Sequence, residues 1–432
     1  MSSLRQQKLH PLADWHSKPW PDHPKLPVMD QRIAKFASRC CFEAEREVRR
    51  LERQYASGAS RRKVGNRSHQ IALGYKMRLY SALKAARKSG DKLTFSALQS
   101  RAAAAKNYNA PTESFTKFSK KKWNGSSRII FSFGPIRKAQ QETLKALLIA
   151  TTPEPQYDYC HQGRRGHHGA ICKIREALLA GTRFWMVTDI KNAFPSMTME
   201  HATPHTYVSK RLLLRVGFYF SHKGSARPEL PQGGKHSSYI CSAVIDGVLR
   251  KLYNPDVEKV AFSDNVTIGA TTKAHAVIAF QQIETELASL KAGPLALHHT
   301  VFSVGDQHRG KFSYQGFKGR GSIWFCGYAA SLDKTTDYVR IRANKIAFDK
   351  VKVRIRAEFF KPLSNEQLEA VYEELTDPPS DHWLFNRLKN EWARSGYPEW
   401  KWVTHTYEHL TNTFWVIAQA ERAERGLTAA AD

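Results

Sequence analysis

The run RFWMVTDIKNAFPSM, residues 183–197, carries an apolar stretch from Phe184 to Val187 that ends on Thr188 and the carboxylate of Asp189. A short apolar run stopped by polar residues reads as a buried β-strand, and an Asp at its end sits on a rigid support facing a cleft. Further along, EKVAF (258–262) and VTIGA (266–270) are strand-like runs joined by Ser263, Asp264 and Asn265, a hairpin with those three residues at its tip. Asp189 and Asp264 are far apart in the chain, so only the fold can bring them together. Two such carboxylates can hold two Mg²⁺ ions about 4 Å apart, a geometry suited to in-line phosphoryl transfer. A lone Asp at a strand end is more often structural, so the surroundings decide.

Upstream, TESFTKFSKKK (112–122), the turn WNGSS and RIIFSFGP (128–135) predict another hairpin, with Asn124-Gly125 as its turn signal. Lys117, Lys120, Lys121, Lys122, Arg128, Arg137 and Lys138 fall within 115–138, where there is no acidic residue. So basic a hairpin suits phosphates, although any one of these lysines can equally be a solvated surface charge. An amphipathic helix, IRKAQQETLKALLIA, follows. Residues 30–110 read as helical. DQRIAKFASRCCFEAEREVRRLERQYA places Ile33, Phe36, Phe42, Val48 and Leu51 on one face behind Asp30 as cap, and IALGYKMRLYSALKAARKSGDK predicts a second helix ended by Gly90. Residues 1–28, rich in Pro, His and Trp, read as an arm or tail.

Beyond the central strands, SIWFCGYAASL (322–332) predicts one strand segment. The stretch after 335 is basic, with Arg340, Arg342, Lys345, Lys350, Lys352, Arg354, Arg356 and Lys361 against Asp337, Asp349 and Glu358. Within it VKVRIR alternates at period two, which allows a strand, while the longer window favours a helix. Trp383, Trp392, Trp400, Trp402 and Trp415 predict the core of a helical C-terminal region.

The chain has 432 residues, 41% of them apolar and 25% charged, which excludes wholesale disorder and provides for a core. Lys and Arg total 67 against 39 Asp and Glu, a formal net charge of +28. Such an excess calls for a polyanionic partner, nucleic acid first and an anionic membrane surface second. No apolar stretch reaches the roughly 18 residues of a membrane span, and the N-terminus lacks the pattern of a secretory signal. Six cysteines without a paired CxxC spacing exclude a disulfide scaffold and a zinc ribbon, so a reducing cytoplasm is expected.

Five motifs in order resemble reverse transcriptases, especially bacterial ones of the retron, group II intron and defence-associated kind. KKKWNGSSRIIFSFGP with its Gln-bearing helix is similar to their fingers, VTDIKNAFPSM to the first catalytic motif, and LPQGGKHSS to the Leu-Pro-Gln-Gly motif. AFSDNVTIGA stands in place of the Tyr-x-Asp-Asp hairpin, and FCGYAASLD resembles the primer grip. The resemblance covers about residues 115–335. It implies an α+β right-hand polymerase with a helical N-terminal extension (1–111), fingers (112–180), palm (181–335), and a thumb with a helical, Trp-rich C-terminal region (336–432).

The roles it implies go residue by residue. Asp189 and Asp264 would bind two Mg²⁺ ions, or Mn²⁺, with a further ligand from the Ile190 carbonyl. Lys121, Lys122 and Arg128 would clamp the triphosphate, while Gln232 and Lys235 would face the nucleotide. Phe194 would lie beneath the sugar and exclude ribonucleotides, unless it is an ordinary core residue. Cys326, Gly327 and Tyr328 would form the primer grip. The implied reaction is nucleotidyl transfer from deoxynucleoside triphosphates, copying RNA into a DNA product. The implied setting is stand-alone or antiviral defence, with a non-coding RNA, a second protein or further copies of the chain as partners, and no membrane. A polymerase making RNA or working without an ordinary template, and an RNA-binding scaffold whose site has decayed, remain the alternatives.

In two places the sequence departs from the family. Asn265 replaces the last Asp of the hairpin, removing one negative charge. GPLALHHTVFS lacks the Lys that serves some members as proton donor; His298 or His299 can take that part, but surface loop histidines are the plainer reading. Cys160, His161, His167 and His168 around GRRG read as an RNA-contacting or structural loop rather than a metal site.

Overall fold

Small residues, more than large ones, set the first helical face. The computed structural model describes residues 31–89, 94–108, 113, 115–121, 127–160, 166–219, 228–252, 254–306, 311–333, 338–376 and 407–427. Helix α1 (Gln31–Ala56) buries Ala37, Cys40, Cys41, Ala44, Val48 and Leu51 at i, i+3/i+4 spacing. Phe36 and Phe42, expected on that face, are 46% and 53% exposed. The expected second helix is two, α2 (Arg61–Leu73) and α3 (Tyr75–Ser89). Gly74 between them is extended, with φ −65° and ψ 133°, and its N–H closes α2 on the carbonyls of Gln70 and Ile71. Helix α4 (Phe95–Ala104) follows. Residues 1–28, Asp30 and Gly90 lie outside the described residues.

Strands β1 (Phe115–Lys121) and β2 (Ser127–Phe133) pair antiparallel from Phe115↔Phe133 to Lys121↔Ser127. Their apolar ends join Tyr219 in an aromatic cluster of Phe115, Phe131 and Phe133. Helix α5 (Pro135–Thr151), with Pro at its first position, packs on α3 and α1. Helix α6 (Gly166–Leu179) leads into strand β3 (Phe184–Ile190).

Beyond α7 (Ser237–Lys251) come β4 (Val257–Phe262), β5 (Asn265–Ala270), α8 (Lys273–Ala288), β6 (Leu297–Val304), β7 (Lys311–Tyr314) and β8 (Phe317–Arg320). They complete a six-stranded sheet in the order β4-β5-β3-β6-β8-β7, antiparallel except for the parallel pair β6–β8. Trp185 and Met186 of β3 are fully buried, which accounts for the unbroken apolar run of this central strand. Two-residue alternation is weak here because a central strand is covered on both faces.

SIWFCGYAASL is a hairpin, where one strand was expected. Strands β9 (Ile323–Phe325) and β10 (Tyr328–Asp333) flank Cys326 and Gly327, both at positive φ (50° and 88°), and β11 (Tyr338–Ala343) adds a third strand. Such φ values suit the tight turns that reverse a twisted strand pair. VKVRIR falls in helix α9 (Lys345–Ile355), as the longer window favoured, with one further residue beyond its end. Helices α10 (Asn365–Thr376) and α11 (Tyr407–Glu424) share with α9 a separate core that includes Ile355, Phe360, Leu368 and Phe414. Trp415 packs at its edge beside Tyr372. The other four C-terminal tryptophans named above lie outside the described residues. Among the described residues no helix is long and apolar enough to cross a membrane.

Candidate active site at one end of the central sheet

Asp189 stands near the end of β3 because the strand's register breaks there. Against β6 the pairing shifts between Val187 and Asp189, an irregularity of the bulge type that re-aims side chains at a sheet end. Thr188 anchors the irregularity, its hydroxyl lying 3.0 Å from the Thr300 hydroxyl and donating to the His298 carbonyl at 3.1 Å. On its other side β3 pairs with β5, and Asp189 falls directly opposite Asn265. Directly opposed residues put their side chains on one face, about 5 Å apart at Cα.

The turn between β4 and β5 is tighter than expected. Asn265 already belongs to β5, paired with Phe262, so the tip is Ser263-Asp264 alone. The Ile190 N–H donates to the Asp264 carbonyl at 3.0 Å, fastening this tip to the end of β3. Asp189, Ile190, Asp264 and Asn265, all nominated from sequence, therefore meet at one sheet end. Among the described residues no group of three or more His, Cys, Asp and Glu is placed to hold a metal ion.

Ser263 is held at φ 58°, a left-handed conformation that costs a non-glycine residue about 1 kcal/mol. Asp158 holds it there. Its carboxylate accepts the Ser263 N–H at 3.1 and 3.3 Å and the Cys160 N–H at 2.6 Å. Residues 157–159 run beside β4, exchanging backbone hydrogen bonds with Ala261 at 2.8 and 2.9 Å. Asp158 is wholly buried, and burial pushes its carboxyl up to about 6 against the pull of those hydrogen bonds. Sequence reasoning passed over Asp158 because an Asp in an irregular segment carries no local signal.

His298 lies on strand β6, where a loop was expected, in register with Asp189, and its Nδ1 is 3.7 Å from Asp189 Oδ1. His299 beside it is at φ 53°. The Asn265 side-chain amide donates to Asp264 Oδ1 at 3.4 Å. The other histidines noted in sequence are packed. The His167 ring lies 4.0 Å from that of Phe262, and His168 Nδ1 is 2.8 Å from the hydroxyl of fully buried Tyr328. They tie α6 to both hairpins. His161 lies outside the described residues.

The Gln232-Gly233-Gly234 turn is built for close approach of backbone. The Gln232 carbonyl accepts the Phe131 N–H of β2 at 2.8 Å, and the Lys235 N–H donates to the Gln141 side chain of α5 at 3.3 Å. At Gly233, with φ 109°, a Cβ would come within 2.6 Å of the Phe131 carbonyl oxygen, which explains the glycine. His236 below it is fully buried, bonded to the Gly217 carbonyl at 2.9 Å, and burial lowers its ring to about 4. Phe194, on the short helix Ala193–Ser196 after β3, is half-buried and packs against the main core. Arg128 pairs with Lys120 across the β1–β2 hairpin, and Lys121 pairs with Ser127. Lys122 and Asn124-Gly125 lie outside the described residues. Cys326 and Gly327 form the β9–β10 turn, with Tyr328 fully buried just after it.

No family model and no curated protein matches the chain. Among solved structures it is similar, at 12% identity and a TM-score of 0.37, to telomerase from Candida albicans in complex with the TWJ fragment of telomeric RNA. That match covers 75% of this chain and 62% of the telomerase chain, under two thirds of the latter's length. It is also similar to the Sicinivirus 3Dpol RNA-dependent RNA polymerase, at 12% identity and a TM-score of 0.35, covering 72% of this chain and 69% of that one.

Proposed function

We propose that the chain is a nucleic-acid polymerase, and specifically an RNA-directed DNA polymerase with its catalytic centre at the Asp189–Asp264 end of the sheet. One observation carries this function: two aspartates remote in sequence meet there, on strand β3 and on a turn fastened to it, in a chain of net charge +28. The donor set fits Mg²⁺, a hard cation that binds through one or two carboxylates and completes its shell with water and substrate phosphates. Bound there, two ions would supply activation of a primer hydroxyl and neutralisation of charge on the triphosphate.

The chain's own groups do the rest. Asp189 and Asp264 hold position because the irregular β3–β6 register and the Asp158-braced turn fix their backbones. Arg128 offers a planar fork for phosphate oxygens. Gly233 lets the Gln232–Lys235 turn seat against the Phe131 carbonyl of β2, and in this assignment Phe194 is the ring beneath the sugar that selects against a 2′-hydroxyl. Fingers over 112–180, a palm over 181–335, a thumb over 336–432 and the primer grip at Cys326–Tyr328 complete this assignment. A non-coding RNA partner and a role in bacterial defence belong to it through the sequence resemblance alone.

A second function, an RNA-binding scaffold, is favoured by the Asn265 amide lying on Asp264 Oδ1. Extension of a labelled primer on an RNA template, with Mg²⁺ or Mn²⁺ and deoxynucleotides, separates the two. DNA product sensitive to DNase supports the polymerase; no product under any metal, with RNA still bound, supports the scaffold.

A further inference from the structure

Helix α2 carries a glycine that its own packing does not require. Gly65 is buried inside the helix, where glycine is less stable than alanine by about 1 kcal/mol. A Cβ there would meet the Tyr207 carbonyl oxygen at 3.6 Å and the Ser209 Cα and N at 3.8 and 3.9 Å, all ordinary contact distances. The backbone does not call for glycine either, since Gly65 is not at positive φ. The missing side chain instead leaves room in a cavity of about 390 Å³, which Gly65 lines, between α2 and the stretch 203–213. That volume is in the range of small-molecule sites.

The two sides of the cavity are fastened together. Ser68 is wholly buried; its hydroxyl donates to the Gly65 carbonyl at 2.7 Å and accepts the Ser209 N–H at 2.9 Å. Arg61 donates to the carbonyls of Thr203 and Pro204 at 2.7 and 2.8 Å, with its guanidinium 4.7 Å from the centroid of the Tyr207 ring. Buried Val208 and Leu213 supply apolar wall. The charge is one-sided: Arg61, Arg62 and Lys210 line the cavity, and among the described residues no Asp or Glu does. The carbonyls take up the fork of Arg61. Arg62 and Lys210 are exposed and, among the described residues, have no ion-pair partner.

We propose that this cavity binds a phosphate monoester of mononucleotide size, with Arg62 and Lys210 on the phosphate and the uncharged body against Gly65, Val208 and Leu213. A guanidinium fork matches phosphate oxygens in pairs, and the lysine adds a point charge. Three cations suit a doubly charged phosphate better than a single carboxylate. The apolar wall and the space left by Gly65 have no use for a lone inorganic anion. None of the residues assigned above to the catalytic centre lines the cavity, so this site does not rest on the polymerase function.

The test is isothermal titration calorimetry of the full chain with each common ribonucleoside 5′-monophosphate, with the matching nucleosides and with inorganic phosphate. EDTA is present throughout, withholding the divalent cation that a nucleotide at the sheet end would need. At least one monophosphate is expected to bind wild type more tightly than both its nucleoside and phosphate alone. Arg62→Gln and Lys210→Gln should each weaken that binding about tenfold, the usual loss of a charged hydrogen-bond partner. Lys63→Gln, an exposed neighbour on α2 outside the cavity, should leave it as it is. Gly65→Ala should weaken binding at least as much as either cation variant while melting at or above wild type, because the helix gains and only the cavity loses room. Arg62 and Lys210 are exposed, so their variants keep the test open should Gly65→Ala fail to fold. Absence of monophosphate binding to wild type overturns the proposal, as does an equal loss in Lys63→Gln or wild-type affinity in folded Gly65→Ala. Inorganic phosphate bound as tightly as the monophosphates overturns it in favour of a lone-anion site, and loss of binding in Asp264→Asn overturns it in favour of the sheet end. RNA binding lost in Arg62→Gln and Lys210→Gln, with no monophosphate bound by wild type, overturns it in favour of a nucleic-acid contact. Cavity-dependent monophosphate binding in a chain that never extends a primer upholds this site while refuting the polymerase function.

Discussion

Replacing Asp158 by Asn removes a charge from the interior and keeps the side chain's shape. Burial raises this carboxyl from an ordinary 3.8 to about 6. Between those values the folded chain binds a proton that the unfolded chain has released, so stability falls as pH rises through the window. Below about pH 3.8 both states are protonated and the penalty is absent. Above about pH 6 it is complete, and at about 1.4 kcal/mol per pH unit across the gap it amounts to about 3 kcal/mol. The Asp158→Asn variant carries no such penalty, but its side-chain NH₂ must face the N–H of Cys160 or Ser263, at a cost of about 1–3 kcal/mol. That second cost is independent of pH. Urea denaturation of both proteins at intervals from about pH 4 to pH 7 should therefore show the variant gaining about 3 kcal/mol on wild type, around a constant offset. Over the same range its nucleotide addition should fall below that of wild type, because Ser263 loses part of its anchor. A stability difference that stays flat with pH would refute the reasoning, since the carboxyl would then ionise as it does in water.

Three further outcomes are expected. Gly233→Ala should lower stability by about 1–3 kcal/mol in thermal melts and depress activity, because φ 109° and the Phe131 carbonyl 2.6 Å away leave no room for a Cβ. Asn265→Asp should lower the Mg²⁺ concentration for half-maximal primer extension by restoring a carboxylate opposite Asp189; an unchanged or higher requirement would show that Asn265 takes no part in metal binding. Phe194→Ala should raise ribonucleotide relative to deoxynucleotide incorporation in single-turnover assays, and a fixed ratio would leave Phe194 as a core residue only.

The central strand was readable because burial on both faces writes itself as an apolar run, and its terminal Asp189 stood out against Trp185 and Met186. The β4–β5 hairpin was readable too, except that one residue of its supposed tip is already in register. Other features were hidden for physical reasons. On α1 the buried stripe is small, so the larger Phe36 and Phe42 drew the face toward solvent. Gly74 divides two helices whose periodicity runs on across it. His298 belongs to a strand whose first residues have little β preference; Leu297 and His298 are held by pairing with Ile190 and Asp189 of β3. Asp158 gains its place only when residues 157–159 meet β4, a contact with no trace in local sequence.

Whether Asp189 and Asp264 together form the catalytic pair is tested most directly by primer extension with Asp189→Asn and Asp264→Asn. Each is run beside wild type at saturating Mg²⁺ and Mn²⁺, with thermal melts and RNA binding measured on the same preparations. Wild type is expected to add deoxynucleotides, while both variants lose addition under either metal, fold as wild type does and still bind RNA. Full activity in both variants at unchanged stability would contradict the assignment.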